Sequence, residues 1–130
     1  MTNFAYPGYL SIGDTLFLTG ERKTPYPGKI ILLVDERVQS ISEISTMMFQ
    51  AIPQTVVIGR QTGGTVSTIS RVFLPGHFIA EFTNVCLTYP DGSFVQGNGV
   101  KIDISVPRTL QGIQSGTDEI LEAALRYLGK

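Results

Sequence analysis

Histidine and cysteine each occur only once in the 130-residue chain, at His77 and Cys86. A single cysteine excludes an internal disulfide. One His with one Cys cannot supply the several nitrogen and sulfur ligands of a zinc site, so no metal is expected. A Ser-His mechanism contained in this chain would have to use His77. That residue follows Pro75-Gly76 and reads as an exposed turn entering a strand. Cys86, between Val85 and Leu87, reads as packing.

Charge is also scarce. Ten basic and eleven acidic residues are spread along the chain and leave a net charge of −1. This balance excludes nucleic acid or an anionic membrane surface as the main partner. No apolar run reaches the ~18 residues of a membrane span. The opening MTNFAYPGYL has neither the basic nor the apolar region of a signal peptide. Internal repeats, low-complexity tracts and interdomain linkers are absent from the sequence.

What is present is apolar. Hydrophobic residues make up 42% and charged residues 16%, enough for one domain with a buried core. Tyr9 to Glu21 predicts two short strands around a Gly13-Asp14 turn, and TPYPG (Thr24 to Gly28) a break. KIILLVD (Lys29 to Asp35) is a continuous branched-apolar run, as in a parallel strand covered on both faces. Ile41, Ile44, Met47, Met48, Ala51 and Ile52 follow at helical spacing, with Pro53 as terminator. TVVIG (Thr55 to Gly59) completes a βαβ unit, for which a right-handed crossover is the default.

Beyond Gly59, short strands are predicted at 71–74, 77–82, 85–89, 93–96 and 100–106, paired as hairpins around Pro75-Gly76 and Pro90-Asp91-Gly92. A final helix is predicted over about Asp118 to Leu128. Thr117 is its expected N-cap and Gly129 its stop.

Few residues carry chemistry. GRQTGG (Gly59 to Gly64) matches neither GxGxxG nor a P-loop, and reads as a tight turn or a groove lining. Asp35 and Glu36 are neighbours at a strand end and point apart, which makes them a poor acid/base pair. Asp103 reads as a rim carboxylate. Ser40 stands where a buried strand meets a helix, and S-x-x-E (Ser40 to Glu43) is a capping-box signature. The same position places a hydroxyl where helix N–H groups and the dipole stabilise an oxyanion. The layout resembles a nucleophile elbow without its glycines.

Four motifs in order carry a more specific signal: KIILLVDERVQSISE (Lys29 to Glu43), TVVIGRQTGG (Thr55 to Gly64), YPDGSFVQGNGVKIDISV (Tyr89 to Val106) and SGTDEILEAALRYL (Ser115 to Leu128). Together they resemble the C-terminal-processing (tail-specific) serine peptidase family, especially its tricorn-core-like branch. The resemblance implies an α/β fold of ClpP/crotonase type, a half-core with a βαβ unit, added β-hairpins and a C-terminal helix. It implies one domain over residues 1–130, with 1–28 as an N-terminal extension and 29–130 as the C-terminal part of the peptidase core.

The resemblance also assigns roles. Ser40 becomes the nucleophile, the Ile41 N–H one oxyanion donor, and Gly63, Gly64 and Thr65 the flank of a peptide groove. The family's catalytic Lys has no counterpart, since Gly64-Thr65 stand there. The tricorn-like branch takes a His from upstream and a Glu near this chain's Gly99 to Asp103, where Gln96 occupies the carboxylate position. Gln96 can therefore orient an imidazole by hydrogen bonding without offsetting its charge. The expected activity is that of a serine endopeptidase with no cofactor, inactive in this chain alone for want of a base. Its partners would be peptide or unfolded protein, the upstream core of a longer parent, and further copies through an exposed sheet edge. The parent would lie in the periplasm or cell envelope. The alternative is a non-catalytic peptide-binding or assembly domain on the same fold. An acyl-CoA enzyme of crotonase type rests on fold analogy alone.

Overall fold

The computed structural model describes Gly13 and residues 26–130. The two strands expected around Gly13-Asp14 lie outside the described residues. The βαβ unit is present as β1 (Ile30–Val34), α1 (Ile41–Gln50) and β2 (Thr55–Gly59). β1 and β2 pair in parallel from Ile30↔Thr55 to Val34↔Gly59. A third parallel strand, β5 (Ile104–Ser105), joins the other edge of β2. The sheet order is β1-β2-β5.

β2 is the strand covered on both faces, with Val57 and Ile58 at 0% exposure. Ile58 packs with Ile120 and Ala124 of α3 (Glu119–Tyr127), joined by Ile31, Val56, Ile104 and Val106. A second cluster of Val66, Val95 and Val100 packs against Ile44 and Met47 of α1. β1 departs from its expected double coverage. Among the described residues it has one neighbouring strand, and Leu33 stays 43% exposed.

The strand ends are pinched together at Gly59, whose φ is +150°. A Cβ there would lie 1.8 Å from the Val34 carbonyl oxygen. That oxygen accepts from the Arg60 N–H at 3.0 Å, so only glycine fits the approach. Both chains thus turn out of the sheet at one place, β1 towards Ser40 and β2 towards the 60–65 loop.

Beyond the loop, β3 (Ile69–Leu74) and β4 (Phe78–Thr83) form an antiparallel hairpin around Pro75 to His77. The expected second hairpin reduces to a single bridge, Thr88↔Phe94. The strand expected over 100–106 shortens to Ile104–Ser105. Asp103 inserts its carboxylate into the ladder instead, accepting from the Val57 N–H at 2.8 Å. A helix not expected from the sequence, α2 (Leu110–Ser115), precedes α3. α3 is capped by Asp118, whose side chain accepts from Leu121 N–H, rather than by Thr117. Cys86 is exposed rather than packed. Val85 and Leu87 take the partly buried positions, and an extended chain turns the residue between them outward.

Candidate active site

The path from β1 to Ser40 is shaped by Asp35. Its carboxylate accepts from the Arg37 N–H at 2.9 Å and from the Arg37 guanidinium at 2.7 and 2.9 Å. Arg60 lies 3.8 Å away. The guanidinium hydrogen bond holds the Asp35 carboxyl below the ordinary carboxylate range, against the opposing effect of burial. Glu36 is lowered as well, chiefly by its hydrogen bond from Arg60. These two acids shape a turn and are not a catalytic pair.

Ser40 then takes φ 52° and ψ −119°. Those are the angles of the first central residue of a type II′ turn, a place that favours glycine. The Ser42 N–H closes the turn on the Gln39 carbonyl at 3.1 Å. Such angles in a non-glycine residue cost of the order of 1–3 kcal/mol and persist only where the surroundings over-determine them. Ser40 is exposed, and its hydroxyl makes no cap hydrogen bond.

The expected capping box is present in both of its reciprocal contacts, although the Ser40 hydroxyl makes no full cap hydrogen bond. Ser40 and Glu43 have its proximity, and the Ser40 N–H does donate to Glu43 Oε2 at 3.2 Å. The Glu43 N–H also hydrogen-bonds to the Ser40 carbonyl at 3.0 Å. Ile41, first in α1, donates its N–H to no acceptor among the described residues.

Sequence reading missed the role of Glu43, which is 0% exposed. Its Oε1 accepts from the Thr62 hydroxyl at 2.6 Å and the Gly64 N–H at 2.8 Å. Its Oε2 takes the Thr65 N–H at 2.9 Å. The available signal was a Gly-rich loop, TGGT, whose backbone N–H groups need acceptors from elsewhere in the fold. The buried side of α1 is thus Glu43 and Thr46, while Ile41 of the expected apolar stripe is 68% exposed.

Of the proposed groove residues, Gly63 and Thr65 are exposed and Gly64 is buried. The Gly63 N–H donates to the Val38 carbonyl at 2.9 Å, directly beside the Ser40 turn. Gly64 has φ +65°, and a Cβ on it would lie 2.9 Å from the Gly99 nitrogen. Its carbonyl accepts from the Gly97 N–H at 2.7 Å, which draws the Gln96–Gly97 segment against the loop. The Gln96 amide oxygen is buried and has no hydrogen-bond partner among the described residues.

His77, with φ 64°, is exposed at the tip of the β3–β4 hairpin and makes no hydrogen bond to Ser40. Lys29 lies over the Tyr127 ring, and Lys101 pairs with Asp91 over the Tyr89 ring. No His or Lys among the described residues hydrogen-bonds to Ser40. Among those residues no group of three or more His, Cys, Asp or Glu could hold a metal ion. Beside the turn, a cleft of about 660 Å³ runs from Leu33, Val38 and Ser42 towards Ile113 and Ile120.

Several solved structures share this fold. A candidate peptidase from Parabacteroides merdae superposes with a TM-score of 0.78 at 23% identity, over 87% of this chain and 36% of the other. Mature CPAF in complex with lactacystin gives 0.64 at 19% identity, over 82% and 20%. The tricorn protease gives 0.66 at 25% identity, over 88% and 12%. The chain thus spans about a third or less of the length of these proteins. No curated protein matches the sequence. The family model for peptidase family S41 matches residues 11–106, nearly three quarters of the sequence and inclusive of the Ser40 turn and the 60–65 loop, and the chain belongs to that family.

Proposed function

We propose that the chain is the C-terminal catalytic-core region of a serine endopeptidase of the C-terminal-processing type, with Ser40 as nucleophile. The observation that carries this reading is the strained, exposed Ser40 at the start of α1, its hydroxyl free of any cap bond. A capping serine needs no such angles, and strain of this kind gathers at functional sites.

In this mechanism the Ser40 hydroxyl oxygen attacks the scissile carbonyl as its proton passes to a base. The Ile41 N–H donates to the oxyanion that forms. Collapse, with the base returning that proton to the nitrogen, releases the amine and leaves an acyl-serine, which water then hydrolyses to the acid and free Ser40. The base comes from the upstream core of the parent, and an imidazole there can donate its other N–H to the unpartnered Gln96 oxygen. The Gly63 to Thr65 loop flanks an extended peptide or unfolded-protein substrate. The parent acts in the periplasm or cell envelope, and the chain alone is inactive.

Labelling of the whole parent by a serine-reactive phosphonate tests the assignment. Modification at Ser40, lost in Ser40→Ala, is the expected result. Labelling that survives the substitution overturns it.

One observation favours a second reading, a non-catalytic peptide-binding or assembly domain. Gly64-Thr65 stand where the family carries its Lys, and no described His or Lys bonds to Ser40. Under that reading the whole parent binds unfolded polypeptide without cleaving it, which separates the two.

A further inference from the structure

We infer that Glu43 is a positioning residue that locks the Ser40 turn and the substrate-flanking loop into one unit. The inference rests on the reading of Ser40 as nucleophile and assigns a role to a residue which that reading leaves out.

Glu43 divides its two oxygens between two segments, the Ser40 turn and the 60–65 loop. Oε1 holds the Thr62 hydroxyl and the Gly64 N–H. Oε2 holds the Thr65 N–H and the Ser40 N–H. Thr62 extends the network, since its oxygen accepts from the Val100 N–H at 2.9 Å. All four groups facing the carboxylate are donors, and a carboxylate is the side chain that only accepts. Burying a carboxylate is costly unless its acceptor capacity is filled, and an apolar residue would serve packing alone better. No cation pairs with Glu43 among the described residues. What its position requires is a rigid acceptor joining nucleophile and loop.

The consequence for catalysis is geometric. The Ser40 N–H bond to Glu43 helps hold the strained type II′ angles, and those angles aim both the hydroxyl and the Ile41 N–H. The same carboxylate fixes where Gly64 and Thr65 present substrate. Misplacement by about 1 Å costs about 100-fold in rate. Glutamine keeps the shape of Glu43 but turns one oxygen into a donor that faces two donors. Either the loop pair or the pair containing Ser40 must then separate.

The experiment compares the whole parent with its Glu43→Gln variant. In the variant, phosphonate labelling at Ser40 falls roughly 10- to 100-fold, while the melting curve remains cooperative. The pH midpoint of labelling stays where it was, because Glu43 positions and does not exchange the reacting proton. Labelling at the wild-type rate in the folded variant overturns the inference, and so does a shifted midpoint. Amide hydrogen exchange on the unsubstituted protein supplies a measurement that needs no variant. After correction for intrinsic rates, the N–H groups of Ser40, Gly64 and Thr65 open together. A Ser40 amide that exchanges independently of the other two overturns the coupling. A wild-type protein that does not label at all removes the nucleophile reading and the catalytic part of this inference with it. Labelled wild type with unaffected Glu43→Gln removes this inference alone.

Discussion

Ser40 and Glu43 are joined through the main chain of one and the side chain of the other: the Ser40 N–H donates to Glu43 Oε2 at 3.2 Å. The Ser40 hydroxyl makes no cap hydrogen bond. Alanine at a true capping serine costs about 1 kcal/mol. Ser40→Ala should therefore change stability by no more than about 0.5 kcal/mol, as for a surface site without special contacts. Ser40→Gly should raise stability by about 1 kcal/mol, because relief of the +52° φ outweighs the entropy that glycine loses on folding. Urea unfolding of the three proteins measures both. A loss above ~1 kcal/mol in Ser40→Ala would show that the Ser40 side chain acts as a cap.

Acid should loosen the approach to this turn. The Arg37 guanidinium, with the Arg37 N–H and the Arg60 charge adding to it, lowers the Asp35 carboxyl in the folded chain. The stability it confers is complete above the unfolded carboxylate value of about pH 4, and is lost as pH falls through the lower folded value. Melting temperature should be insensitive to Asp35 ionisation between pH 5 and 7, as estimated from that unfolded value, and should fall below it. Glu36 and Glu119 shift in the same direction, so the informative quantity is the difference between wild type and Asp35→Asn. That difference should shrink towards zero in acid. A difference constant with pH would show that Asp35 contributes by shape rather than charge.

The β3–β4 hairpin should make the isolated chain associate. Phe73 is 78% and Phe78 70% exposed, and by register they stand on opposite faces. Arg71 and Glu81 already satisfy each other across the strands at 2.6 Å, so the hairpin offers apolar surface with little free charge. Together with the β1 edge, which has one neighbouring strand among the described residues, it is the kind of surface that pairs with other chains. Light scattering should give a mass that rises with concentration above 14.2 kDa. Phe73→Lys with Phe78→Lys should lower that mass. A wild-type chain that stays monomeric when concentrated would refute the expectation.

The frame of the site was legible because it follows from local rules. The branched-apolar run of Lys29 to Asp35 and the helical spacing after Ser40 led to β1, α1 and β2 in their observed pairing. What was illegible depends on long-range partners. Glu43 looked like a local cap, because its Thr62, Gly64 and Thr65 donors lie about twenty residues away. The strand predicted over 100–106 overran because a side chain, Asp103, replaces a main-chain rung. α2 carries a glycine at its centre and is six residues long. It is held by Thr109, whose N–H and hydroxyl both bond to the distant Glu119. No periodicity signals a helix fixed in that way.

Gly59 offers the severest test of the frame. It is where β1 and β2 leave the sheet, and the site lies on the two segments that diverge from it. An alanine Cβ would sit 1.8 Å from the Val34 oxygen, a backbone atom with no side-chain freedom to move aside. The φ of +150° adds strain for any residue but glycine. Relief requires the Val34–Arg60 hydrogen bond to break and the strand ends to part, next to Val57 and Ile58 in the core. Gly59→Ala should thus cost more than about 3 kcal/mol, beyond the usual range for a point substitution. Where the variant still folds, it should label at Ser40 more slowly than the wild type, because both the nucleophile turn and the Gly63 to Thr65 loop are anchored at that pinch. Urea unfolding and phosphonate labelling of the whole parent read the two effects separately. A variant with near wild-type stability and labelling would mean that the strand ends can open without disturbing the site.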